Sequence, residues 1–135
     1  MNFGNYTQKS LEAIQSAQNL ARSCNHQQME QVHLLLALLQ QEGGFIPQLL
    51  QKMDVTVESL TAAAQAELKK IPGVTGSREA DKFYITADVD NTLTAAAQQA
   101  DAMKDEFVSV EHLFLALLET ARGSVKNLMD VYRIK

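Results

Sequence analysis

Cysteine occurs once in this chain, as Cys24, and tryptophan does not occur at all. One thiol cannot close an intramolecular disulfide, so a disulfide-stapled scaffold is excluded and packing must hold the fold. Helix breakers are also scarce, with six glycines and two prolines in 135 residues. Ala, Leu and Gln, all good helix formers, recur along most of the chain, which leaves little room for strands. Long apolar runs are missing too. The longest, Leu34 to Leu39, falls far short of the roughly 18 residues that a membrane-spanning helix requires, so no bilayer crossing is expected. Basic charge is in deficit, 12 Lys and Arg against 16 Asp and Glu, and no positive field gathers nucleic acid. Met1 to Asn5 show no basic segment leading into an apolar stretch, which together with the lone thiol predicts a cytoplasmic protein. What is present, 46% hydrophobic and 21% charged residues, suits one soluble globular domain over 1–135.

The apolar spacing is helical. Leu11, Ile14, Ala17, Leu20 and Ala21 form a core-facing stripe behind Thr7 as N-cap, predicting a helix that ends before Asn25. Val32 to Leu39 is apolar on all sides, which predicts a buried helix closed by Gly43-Gly44. Pro47 sits in the first turn of a short helix, and Thr56 caps another that carries Val57, Leu60, Ala63, Ala64 and Leu68 up to Ile71. Residues from about 73 to 84 lose the periodicity and read as an exposed connector. Beyond Thr86 the pattern resumes through Val89, Leu93, Ala96, Ala97 and Ala100. A second apolar helix, Val110 to Leu118, follows behind Ser109, and a short one lies around Val125, Leu128 and Met129.

A shift of 79 positions superposes the two halves without a gap. His33-Leu34 falls on His112-Leu113, Leu36-Ala37-Leu38-Leu39 on Leu115-Ala116-Leu117-Leu118, Gly44 on Gly123 and Leu49 on Leu128. Thr7, Ala17 and Ala21 meet Thr86, Ala96 and Ala100, while Ile14 meets Leu93 and Met53 meets Tyr132. Two copies are too few for a solenoid, and either alone leaves its Leu-rich helix wet. The prediction is an all-α single domain of two pseudo-two-fold-related, four-helix-type repeats, about 5–72 and about 85–135.

Tyr6-Thr7-Gln8-Lys9, Glu30 to Leu39, Gln41-Glu42-Gly43-Gly44 and Asp105 to Leu113, taken with the duplication, resemble the Clp N-terminal repeat domain, most closely in its ClpB-type members. The resemblance covers nearly all of the chain. It implies an N-terminal domain that recruits unfolded or aggregated polypeptide for threading by downstream AAA+ modules. Those modules would carry ATP and magnesium, assemble as a hexamer and work with a DnaK-type chaperone, while this domain holds no cofactor. It also implies substrate-handling roles for Thr7, Asp105 and Glu111, and a binding groove lined by Leu93. The alternative is the N-domain of a ClpC- or ClpA-type unfoldase that docks adaptors or modified substrates for a protease. ClpC-type domains place a glutamate before the histidine in both repeats; Glu111 stands there in the second copy, but Val32 in the first.

Catalytic chemistry finds few partners. No G-x-x-x-x-G-K-[ST] loop occurs, and Gly43-Gly44 lacks the lysine that a phosphate loop needs. Cys24, His26 and His33 fall short of the ligand set of a structural zinc site, and a Cys24–His33 nucleophile pair lacks a third orienting group, so neither a metal nor a catalytic residue is predicted. Cys24 reads as a small apolar packing residue. His33 and His112 read as imidazoles hydrogen-bonded to the preceding loops, since nothing titratable recurs beside both. Asp101, Asp105, Glu106 and Glu111 form an acidic group in which Glu111 also favours its helix N-terminus.

Overall fold

The computed structural model describes residues 4–73 and 84–134. The predicted connector, about 73–84, lies outside the described residues except for its two ends. Seven helices make up the described structure: α1 Gln8–Ser23, α2 Gln31–Gln40, α3 Phe45–Lys52, α4 Val57–Lys69, α5 Ala87–Ala102, α6 Val110–Thr120 and α7 Gly123–Val131. The chain is an all-α single domain, as its composition predicts. The 79-residue offset carries α1 onto α5, α2 onto α6 and α3 onto α7. It carries α4 past residue 135, so four helices are seen in the first repeat and three in the second.

Matching caps start matching helices. Thr7 Oγ1 accepts the Ser10 N–H and Thr86 Oγ1 the Val89 N–H, both at 3.1 Å, bonds of a kind that contribute about 1 kcal/mol each. On α1 the buried face runs through Ser10, Ala13, Ile14, Ala17 and Ala21. Alanines let α1 approach α2 closely, so the stripe is narrower than predicted: Leu11 falls on its rim, 38% exposed. On α5, Ala95 is buried and Ala97 exposed, one position from the expected pattern. Every residue from Gln31 to Leu39 is buried, so α2 is the core's axis, with α1, α3, α4, α6 and α7 around it.

Glycines end no helix here. Gln41 follows α2, Gly43 adopts φ +64° and Gly44 is the N-cap of α3; in the second copy the left-handed residue is Gly123, φ +58°. The aligned Gly44 and Gly123 therefore do different backbone work. The Thr56 side chain makes no capping bond, and α4 stops at Lys69, leaving Ile71 partly buried against the core.

The repeats are joined by crossed strands. β1 (Gln28–Met29), between α1 and α2, pairs in parallel with β2 (Tyr84–Ile85), the lead-in to α5. Tyr6, in the lead-in to α1, bridges in parallel to Val108, between α5 and α6. The offset exchanges these two pairings, as a pseudo-two-fold axis requires. Thr86 N–H donates to Met29 O at 3.1 Å and Thr7 N–H to Val108 O at 2.9 Å. A third tie has no symmetric mate. Buried Gln31 donates through Nε2 to Thr92 Oγ1 and to Thr120 O, both at 3.1 Å, and accepts the Arg122 N–H at 3.0 Å. Its counterpart by the offset is Val110, which makes no such bonds.

Candidate functional site

The turn after α5 shapes the surface on which the predicted residues gather. Met103 ends the helix, Lys104 takes φ +60°, and the Asp105 N–H reaches back to Ala100 O at 2.9 Å. The chain then extends through Val108 to its pairing with Tyr6, and Ser109 caps α6. This path surrounds a shallow hollow of about 440 Å³ lined by Met103, Asp105, Glu106, Phe107, Ser109, Glu111 and His112. Met103 is 56% and Phe107 49% exposed, so two large apolar side chains face solvent among three carboxylates.

A histidine forms the hollow's floor. His112 is buried, and its Nδ1 accepts the Ser109 N–H at 2.9 Å. A neutral imidazole whose Nδ1 accepts must carry its proton on Nε2. That N–H donates to Asp105 Oδ2 at 2.8 Å, which fixes the carboxylate in place while its second oxygen remains available on a half-exposed side chain. The expectation that nothing titratable accompanies both histidines is therefore corrected. His26 occupies the place of Asp105 in the first repeat, and its Nδ1 stands 2.8 Å from His33 Nε2. The signal was present in the sequence, as a titratable residue seven positions before each histidine at the same offset.

Of the predicted substrate residues, Asp105 and Glu111 share the hollow. Thr7 lies behind it, joined through the Val108 carbonyl, which also has Ser10 Oγ at 2.9 Å. Leu93 does not line it. Leu93 is 2% exposed, because α5 turns that face onto α6 and the core. Sequence reasoning missed Phe107 and Met103, whose exposure depends on the path of the turn rather than on helical spacing.

The corresponding place in the first repeat is a hollow of about 570 Å³ lined by Cys24, His26, Gln65, Leu68, Lys69 and Ile71. There α4 supplies a wall, and the lining includes a lysine and no carboxylate. Cys24 is partly buried against the core, as its apolar reading predicts. Among the described residues, no group of three His, Cys, Asp or Glu side chains could hold a metal ion, and no helix is long and apolar enough to cross a membrane.

Residues 5–131 match the profile of the Clp repeat (R) N-terminal domain. The chain is 41% identical over 135 residues to the chaperone protein ClpB of Bacillus cereus, covering 99% of this chain and 16% of that protein. It is 37% identical over 126 residues to ClpB of Nitratidesulfovibrio vulgaris, covering 93% and 15%. It thus spans about a sixth of the length of these relatives. Its fold matches the Hsp104 N-terminal domain from Candida albicans with a TM-score of 0.85, at 22% identity over 97% of this chain and 83% of that one. It also matches a ClpV N-domain in complex with a VipB peptide, with a TM-score of 0.72 at 13% identity over 96% and 80%. At such identities the structural matches establish the fold.

Proposed function

The chain belongs to the Clp repeat N-terminal domain family, and from that premise we propose that it recruits unfolded or aggregated polypeptide for a ClpB-type disaggregase. In this reading the domain itself is non-catalytic. ATP and magnesium belong to AAA+ modules elsewhere in a longer cytoplasmic protein, which forms a hexamer and works with a DnaK-type chaperone. The observation that carries the proposal is the hollow of the second repeat, where exposed Met103 and Phe107 stand among Asp105, Glu106 and Glu111. An unfolded client offers apolar side chains without fixed shape, so it is met by a shallow, adaptable surface rather than by a deep pocket. Glu111 flanks that surface, Asp105 is held at its edge by His112, and Thr7 sets the α1 terminus behind it. Leu93 belongs to the buried core of α5.

Hand-over to a ring requires reversible capture, so affinity in the micromolar range or weaker, about −8 kcal/mol or less in magnitude, suits the role. NMR titration with reduced, carboxymethylated α-lactalbumin as the unfolded client tests it. Signals of Met103, Phe107 and Glu111 should shift, and Phe107→Ala and Glu111→Gln should weaken binding while leaving the melting temperature almost unchanged. A spectrum that does not move at high client concentration would refute the proposal.

A further inference from the structure

His33 and His112 occupy equivalent helix starts, are equally buried and each accept a backbone N–H at Nδ1, from Glu30 and Ser109 respectively, at 2.9 Å. Their partners differ in kind. His112 donates Nε2–H to a carboxylate, and Ser109 Oγ lies 2.9 Å from its Nδ1, where a hydroxyl can accept an added proton. The partner of His112 is thus an anion opposite in charge to an imidazolium, with a hydroxyl beside Nδ1 as a second neighbour. His33 donates Nε2–H to the Nδ1 lone pair of His26, itself buried. A proton added at His26 Nδ1 would point at the His33 N–H, and one added at His33 Nδ1 would point at the Glu30 N–H. Either proton breaks a bond that the fold relies on.

We propose that the α1–α2 junction of the first repeat is an acid-sensitive joint. Proton uptake by the His26–His33 pair opens the junction and frees the Met29–Ile85 pairing between the repeats, while the Asp105–His112 junction of the second repeat stays closed. β1 lies between the two histidines in sequence, so the broken bond and the freed strand belong to one short segment.

Among the described residues, the charged and titratable groups around the pair are Cys24 at the end of α1, Lys69 on α4 and Glu30 at the start of α2. Lys69 shares a hollow with His26 and opposes a second positive charge there. Burial, and then the neighbouring His26, hold His33 down at about 4, against the usual 6.5. The unfolded or opened junction takes up its proton near 6.5, and the closed one resists until about 4. The stabilisation is thus complete above 6.5 and is lost as pH falls from there toward 4.

Two equivalent amides provide the measurement: Thr86 N–H, bonded to Met29 O, and Thr7 N–H, bonded to Val108 O. Hydrogen-exchange protection, corrected for intrinsic rates, is followed by NMR from pH 7 to pH 5 while the far-UV circular dichroism stays constant. Protection of Thr86 should fall roughly tenfold or more and that of Thr7 by less than about threefold, the response of one buried histidine released near its ordinary pKa. His26→Asp should flatten the Thr86 response, and Asp105→His should confer one on Thr7. Equal responses of the two amides in the unaltered chain would overturn the proposal without any variant. So would a Thr86 response that survives His26→Asp.

Discussion

The two copies carry one apolar rhythm, yet α2 is sheathed along its length while α6 leaves Leu115 40% exposed. Leu36, the matching residue on α2, is 1% exposed. The helices hardly differ in pattern; their neighbours do. α4 packs along α2, and no described element takes the corresponding place on α6. Burial is thus a property of the neighbours as much as of the sequence, and the turn beside α6 presents Met103 and Phe107.

Paired substitutions sharpen that contrast. Leu36→Ala should cost about 2–5 kcal/mol in denaturant unfolding, as for a fully buried leucine, and Leu115→Ala less than about 1 kcal/mol. Equal costs would mean that α6 is covered after all. Gln31→Ala strips the hydrogen bonds to Thr92, Thr120 and Arg122 and should cost about 1–3 kcal/mol through groups left unsatisfied, whereas Val110→Ala, at the symmetric position, should lose only packing. A double-mutant cycle of Gln31→Ala with Thr92→Ala should reveal a coupling that a Val110 and Ala13 cycle lacks. The smallest effect lies in the turns. Asn25 and Lys104 share a left-handed φ near +60°. Lys104→Gly should stabilise by less than about 1 kcal/mol, and Asn25→Gly should be close to neutral, since asparagine already tolerates that conformation.

Most of the fold was legible because duplication doubled each weak signal. Thr7 and Thr86, and Leu38 and Leu117, agree at one offset, whereas the short strand pairings between the copies carried no signal of their own. The differences arise where local spacing cannot report the neighbour: Leu11 lies at the rim of its stripe, Leu115 is half-exposed among the described residues, and Leu93 is buried in the core. At the site, Asp105 and Glu111 were legible as an acidic pair. The His112 bond that holds Asp105 could have been found by comparing positions 26 and 105 across the repeat. Gln31 carried no signal, because its partners lie 61 and 89 residues away and have no counterparts in the other copy.

The crossed pairings also govern the order in which the domain can assemble. Each lead-in strand belongs to the loop of the opposite copy, so neither half completes its own junction from its own residues. A chain emerging from the ribosome can wind α1 to α4 early. The Gln28–Met29 strand must then wait for residues 84 and 85, and Tyr6 must wait about a hundred residues for Val108. Local helices form quickly, whereas closing loops of that span is slow and is rewarded only at the end. The last contacts to form therefore tie the N-terminal segment to the rim of the hollow, which is complete only when the whole domain has finished folding.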